Sequence, residues 1–313
     1  MAKTELFVRK QSGGMFSVVN ETLTTGAIFF VDSATGTDAP GNGQNPDAPL
    51  ATIDYAIGLC TANKGDRIYV MPNHAETVTG AGGITADVAG ISIIGMGVYD
   101  QRPRVLLDGG TSVTFLVSAA DVTIRNLVLA SGHLLVAACF NVTGKGCWID
   151  QCEFVDNTTA ENWGTPVKAT GAANTANGLA VTNCRWTPLI ATVNALEFVE
   201  ITDDIRDMVI SNNFIVHEGT ASPLVLQAGT KVMQTSFIVD NYISHKMTAG
   251  DLLIDNGGST NSGIIARNFC GNADVTGAQE GGAATGMRFF ENLYTSTAVD
   301  SGALAPAADT PLT

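Results

Sequence analysis

The densest run of charge in this chain lies between residues 197 and 206, where Glu197, Glu200, Asp203, Asp204 and Arg206 fall close together in a sequence that is only 15% charged. Such residues suit cleavage of a glycosidic bond. Hydrolysis uses two carboxylates ~5–9.5 Å apart, and elimination uses a base beside a charge-stabilising cation. In that scheme Asp203, Asp204 and Glu200 are the candidate acids and bases, and Arg206 is the cation. A second acidic group, Asp150, Glu153 and Asp156, has its first two members at positions expected to face outward. The plainer reading is that all these acids are solvated turns and outer strand faces. Only 3 Trp and 5 Tyr are available to stack on sugars. The sequence therefore assigns no catalytic residue, and the expectation is a protein that is not an enzyme. If it is one, it is a polysaccharide lyase or glycoside hydrolase. No cofactor or metal set is visible: of the six cysteines only Cys147 and Cys152 are close in sequence. Several occupy inward positions, where Cys acts as a small hydrophobe, and free thiols are expected.

The element that must position these residues is an eight-residue phrase that returns eight times. Its copies are ISIIGMGV (91–98), VTIRNLVL (122–129), CWIDQCEF (147–154), LAVTNCRW (179–186), MVISNNFI (208–215), SFIVDNYI (236–243), GIIARNFC (263–270) and MRFFENLY (287–294). Starts are spaced by 31, 25, 32, 29, 28, 27 and 24 residues, a variable period with strand-like content that marks a β-solenoid. First and third positions are mostly apolar, and the eighth is apolar or aromatic. The sixth reads Met96, Leu127, Cys152, Cys184, Asn213, Asn241, Asn268, Asn292. Four successive Asn at one register predict a ladder of amides, because coils stack ~4.8 Å apart and identical side chains then meet.

A further strand precedes each phrase, as in TFLVSA (114–119), ACFNVTG (138–144) and ALEFVEI (195–201). Each coil thus has at least two strands and several tight turns, which the 34 glycines suit. The fold expected is all-β: a single-stranded right-handed parallel β-helix of about nine to ten coils over residues 29–294. Ile53, Ala56, Ile57 and Cys60 at helical spacing predict a capping helix over about 49–63, closed by Gly65. It would cover the open end of the first coil. Residues 1–28 read as an N-terminal arm and 295–313, rich in Ala, Thr and Pro, as an extended tail.

A net charge of −14 argues against nucleic acid or an anionic membrane surface as partner. No run reaches the ~18 apolar residues of a membrane span. MAKTELFVRKQSGG lacks the apolar run of a signal peptide, so the chain is expected to fold in the cytoplasm where it is made.

The stretch FFVDSATGTDAPGNGQNPDAPLATIDYAIGLCTANKGDRIYVMPNHAETVTGAGGITADVAGISIIGMG resembles the opening of pectate-lyase-like β-helix proteins of tailed bacteriophages. VDS…GTD…P.ATI..A, GD.IYVMP.H and the ITADVAGISIIG run carry the likeness, over residues 29–97; later coils match only as generic β-helix. The resemblance implies a virion component, either a trimeric decoration (cement) protein on the head or a tailspike that binds or depolymerises host surface polysaccharide. Polygalacturonase-like relatives carry Asn-Thr-Asp, Asp-Asp, Gly-His-Gly and Arg-Ile-Lys motifs. Here Asp203–Asp204 is present and the other three are missing. About 28 residues precede the matching segment, too few for a separate head-binding domain, which favours the cement role.

Outward positions bear on assembly. At position two the later copies carry Val209, Phe237 and Ile264, and at position seven Phe214, Tyr242 and Phe269, whereas earlier copies are mixed or polar. An apolar stripe of this kind exceeds what a soluble monomer usually exposes. It is expected to be a subunit interface, and the family resemblance implies a homotrimer. Lys3, Arg9 and Lys10 in the arm are candidates for contact with the phage major capsid protein. A glycan is the alternative partner.

Overall fold

The computed structural model describes residues 7–9, 16–18, 26–187, 197–217, 224–227, 231–245, 251–256, 261–273, 279–282, 286–296 and 302–303. Short strands separated by tight turns pair with strands one coil away, and they build three long sheets. The first sheet has ten parallel strands, from Ile28–Val31 to Met287–Phe290. The second also has ten, running from Ala75–Val78 to Leu293–Ser296 and ending on Gly302–Ala303. The third has eight, from Ile84–Ala86 to Gln279–Gly282. The chain is a parallel β-helix of pectate-lyase-like form, wound from first to second to third sheet and back.

Alternation explains why the coils stack. In Thr123–Arg125 only the central Ile is buried, and it pairs in register with Ile93 above and Ile149 below. The column continues through Val181, Ile210, Ile238 and Ile265, all fully buried. Each inward side chain meets its own kind one coil on, so close packing recurs at every rung. A cluster of interior rings, Phe115, Phe140, Phe154, Phe198 and Trp186, fills the wider middle coils with centroids 5.2–6.2 Å apart.

The repeating phrase proves to span a corner. Its first half is a strand of the first sheet and its last two positions begin a strand of the second. Between them the fifth residue adopts a left-handed conformation: φ is +58° at Asn126, +55° at Gln151, +54° at Asn183, +56° at Asn212, +59° at Asp240, +54° at Arg267 and +58° at Glu291. Asn and Asp tolerate this region best, which accounts for their frequency there.

Several boundaries differ from the sequence expectation. The capping helix α1 is Ile53–Leu59, shorter than 49–63; Thr52 Oγ1 accepts from the Tyr55 N–H as its N-cap, and its C-cap is Cys60, not Gly65. Cys60 is extended, and Gly65, at φ +70°, serves the following turn. Ile53, Ala56 and Ile57 are buried against the first coils. The solenoid begins at Ile28 and its last parallel strand ends at Ser296. Within the N-terminal arm, Phe7–Arg9 and Phe16–Val18 form an antiparallel hairpin. In the C-terminal tail Gly302–Ala303 pairs antiparallel with the last strand of the second sheet. The first phrase copy is irregular. Met96 is exposed and does not point inward like Leu127, because residues 96–103 form an inserted loop; the in-register partner of Val128 is Arg104, not Gly97.

Candidate functional site

Behind the corner, in the last four coils, sits the column of asparagines. Asn213, Asn241, Asn268 and Asn292 are each 1–2% exposed. Asn213 Nδ2 donates to Asn241 Oδ1 at 2.9 Å, Asn241 Nδ2 to Asn268 Oδ1 at 2.9 Å, and Asn268 Nδ2 to Asn292 Oδ1 at 3.0 Å. The same oxygens accept the backbone N–H of the preceding Asn, and each Nδ2 also donates to a carbonyl of the coil before, from Val181 to Ile265. A buried primary amide survives only when its donors and acceptor are engaged, and here the repeat itself supplies the partners.

On the outer side the two apolar columns flank this ladder. Val209, Phe237 and Ile264 pair in register on the first sheet. Phe214, Tyr242, Phe269 and Leu293 do so on the second. They are therefore not one stripe on one face but two walls of a corner. Phe214 and Tyr242 stack with centroids 5.0 Å apart and planes 2° from parallel; Tyr242 and Phe269 follow at 5.2 Å and 19°. Arg185 closes the upper end, its guanidinium carbon 5.0 Å from the Phe214 ring centre. Rings stacked in this way turn their faces to one another and their edges outward. A pyranose, which packs on a ring face, finds none free along this column.

The candidate catalytic acids are dispersed and engaged. Glu200 lies on the outer face of the third sheet, with Oε2 2.6 Å from Lys168 Nζ on the neighbouring strand. Asp203 accepts from Lys231 Nζ at 3.0 Å and from the Asp204 N–H at 2.9 Å, and these bonds hold its carboxyl below the usual range. Asp204 accepts from the Val232 N–H at 2.8 Å. Arg206 is exposed, and its backbone N–H binds Asn177 Oδ1. Glu197 is buried, accepts from Thr165 Oγ1 at 3.0 Å, and is pushed up chiefly by burial. Asp203 and Asp204 do line a recess with Thr170, Thr175 and Ile205, but its cavity volume is only about 10 Å³, room for about one water and far below the ~300 Å³ at which ligand pockets begin.

The second acidic group departs from its expected placement. Asp150 is not outward but 2% exposed. It accepts from Thr182 Oγ1 and Asn183 Nδ2, both at 2.8 Å, with Arg125 Nε at 3.2 Å, and so ties three coils together. Asp156 is buried as well, and Glu153 pairs with Arg102. Their charge made these residues look like chemistry, whereas the partners that occupy them lie ~25–50 positions away and leave no local signal. Among the described residues no group of three or more His, Cys, Asp or Glu is placed to hold a metal ion. None of the six cysteines is in a disulfide, and five are buried. Lys3 and Lys10 lie outside the described residues, and Arg9 closes the first strand of the N-terminal hairpin.

Comparison with known proteins places the fold. No protein-family model matches the sequence, and no curated protein sequence does. A solved structure titled rhamnogalacturonan lyase superposes with a TM-score of 0.50 at 13% identity, over 79% of this chain and 74% of that one. The likeness is one of fold. A protein of Geobacillus virus E2, ORF18, aligns over 86% of this chain and 61% of its own length at 9% identity, with a TM-score of 0.35 that carries no further weight. No helix among the described residues is long and apolar enough to cross a membrane.

Proposed function

We propose that this chain is a structural virion protein of a tailed bacteriophage, a homotrimeric decoration protein seated on the outer surface of the head. The virion setting rests on the resemblance of residues 29–97. The structural role rests on one observation: the exposed chemistry of the later coils is a paired set of apolar columns with ring edges outward, while the carboxylates that would cleave a glycan are committed to neighbouring coils. A surface of this kind is built to be covered by protein. The alternative, a tailspike that binds or depolymerises polysaccharide, has the lyase-like fold in its favour, but fold and activity are separate matters.

The test is assembly. Phe237→Asp with Phe269→Asp should give a soluble, still β-rich monomer that no longer binds purified phage heads. Thr123→Asp, on an early coil of the first column, should leave both properties intact. A double variant that still trimerises by light scattering would remove the columns from the interface. Release of reducing ends or unsaturated products from a panel of bacterial surface glycans, abolished by Asp203→Asn with Asp204→Asn, would replace the decoration role with a depolymerase.

A further inference from the structure

The apolar columns lie on both walls of one corner, and this geometry bears on how copies meet. We propose that the two columns are complementary halves of a single contact: the first-sheet column of one copy packs against the second-sheet column of the next, closing a ring of three about an axis parallel to the solenoid. The inference rests on the trimeric reading above and specifies its interface.

Three features carry it. The first is concentration. Of the eleven large apolar side chains exposed among the described residues, all but Leu59 and Leu134 lie at this corner, from Val98 and Tyr99 in the inserted loop to Phe290 and Leu293. Taking ~200 Å² for a large side chain, the nine along the ridge, 38–86% exposed, present ~900 Å² together. That matches the ~800 Å² each partner contributes to a standard interface. The second is charge. An acidic chain that binds itself must do so where its charge is absent or cancelled. The columns carry none between Arg185 and Arg288, and at the turn between them Arg267 holds Asp240 in a bidentate pair at 2.7 Å. The third is support. The asparagine ladder occupies the same coils as the columns, directly inside the corner, so the two walls are held straight where they must meet a second copy.

Symmetry then selects the pairing. A twofold contact is self-complementary and closes at two copies, whether a wall meets itself or the two walls exchange partners. Rotation about a threefold axis leaves all copies parallel and brings different walls together at equal height. Phe237 and Tyr242 belong to the same coil, one on each wall, so Phe237 of one copy should face Tyr242 of the next. In such a ring the loops that join the two walls meet at the axis, and Tyr99 in that loop is 86% exposed with φ at +52°. Its backbone is pinned by the Gln101 N–H to Val98 O at 3.1 Å and the Arg102 N–H to Tyr99 O at 3.2 Å. A bulky residue held in that conformation and exposed fits an anchor at the top of the ridge.

Cysteine cross-linking tests the pairing on the full-length chain, with little background because five of the six native thiols are buried. Chains carrying Phe237→Cys, mixed with chains carrying Tyr242→Cys and reassembled under mild oxidation, should form a disulfide-linked dimer on non-reducing gels. Neither variant alone should do so. Tyr99→Cys should cross-link to itself. Each variant is first shown to be β-rich and trimeric under reducing conditions; if Phe237→Cys is not, Val209→Cys with Phe214→Cys repeats the test one coil earlier. Self-linking of Phe237→Cys or Tyr242→Cys alone would overturn the proposal in favour of a twofold contact. A trimer with no cross-link between the walls would overturn it while leaving the trimeric reading intact, whereas a wild-type monomer at micromolar concentration would sink both.

Discussion

Replacing Asn241 by alanine should open the solenoid locally at a cost of several kcal/mol. Asn241 Oδ1 receives the backbone N–H of Asn213 at 3.1 Å and its Nδ2 at 2.9 Å, while Asn241 Nδ2 donates to Ile210 O at 3.0 Å and to Asn268 Oδ1 at 2.9 Å. Alanine leaves two buried donors of Asn213 without an acceptor, in a position 2% exposed. At about 1–3 kcal/mol for each buried group left unpaired, the loss is about 2–6 kcal/mol. Coils of a solenoid interact with nearest neighbours, so the damage should concentrate around residues 208–268 and spare the first coils. Hydrogen exchange resolves this. The Asn213 amide should lose protection by a factor of about 30 or more, since 1.4 kcal/mol is tenfold, while the amide of Ile93 is unchanged. Asn241→Asp should be as damaging at neutral pH, because it loses both donations and sets a negative charge beside Asn268 Oδ1. Unaltered exchange at Asn213 in the alanine variant would show that the ladder is incidental.

Further outcomes follow from the same geometry. Glu197 has its folded pKa raised above the unfolded value, so its contribution is fully favourable below the unfolded pKa of ~4.3 and is lost as pH rises through the folded value. Glu197→Gln should therefore raise the melting temperature at pH 7 and leave it unchanged at pH 3.5; an equal shift at both would refute the assignment. The thiols of Cys147 and Cys152, pushed up to about 12 by burial, should stay silent to a thiol reagent at pH 8 until the chain is denatured; rapid reaction of more than one of the six in the native protein would contradict the packing. Tyr99→Gly should relieve the left-handed strain, stabilising the dissociated chain by about 0.5–1 kcal/mol while weakening assembly, as read by melting and by sedimentation.

Much of this architecture was legible because the pattern repeats. Alternation at Ile124, Ile149 and Val181, and the run of Asn from 213 to 292, state both an inward face and a register, and the structure places those residues accordingly. The three-sheet cross-section was harder to see. A phrase such as VTIRNLVL reads as one continuous strand, and the bend at its fifth residue is carried by a backbone dihedral that Asn, Gln, Asp, Arg and Glu all adopt in this chain. Asp150 was misplaced for a related reason: alternation assigns it outward, but next to the corner the chain folds back and Thr182, Asn183 and Arg125 enclose it. Asp203 and Asp204 look like a catalytic pair in one dimension, and only the coil that brings Lys231 and Val232 alongside shows which groups hold them.

The two ends of the stack have a consequence for how such a molecule stays finite. Each coil presents the next with the same hydrogen-bonding edge at the same spacing, so in principle the stack has no inherent length and an open end is a template for fibril growth. At one end Gly43 and Leu50 pair with the free edge of Ile28–Val31, the Phe30 N–H donating to Gly43 O and the Leu50 N–H to Phe30 O, and α1 packs over the first coils. At the other, Gly302–Ala303 runs against the grain of the second sheet. A reversed strand offers an incoming parallel rung a different sequence of donors and acceptors, which disfavours head-to-tail addition along that sheet.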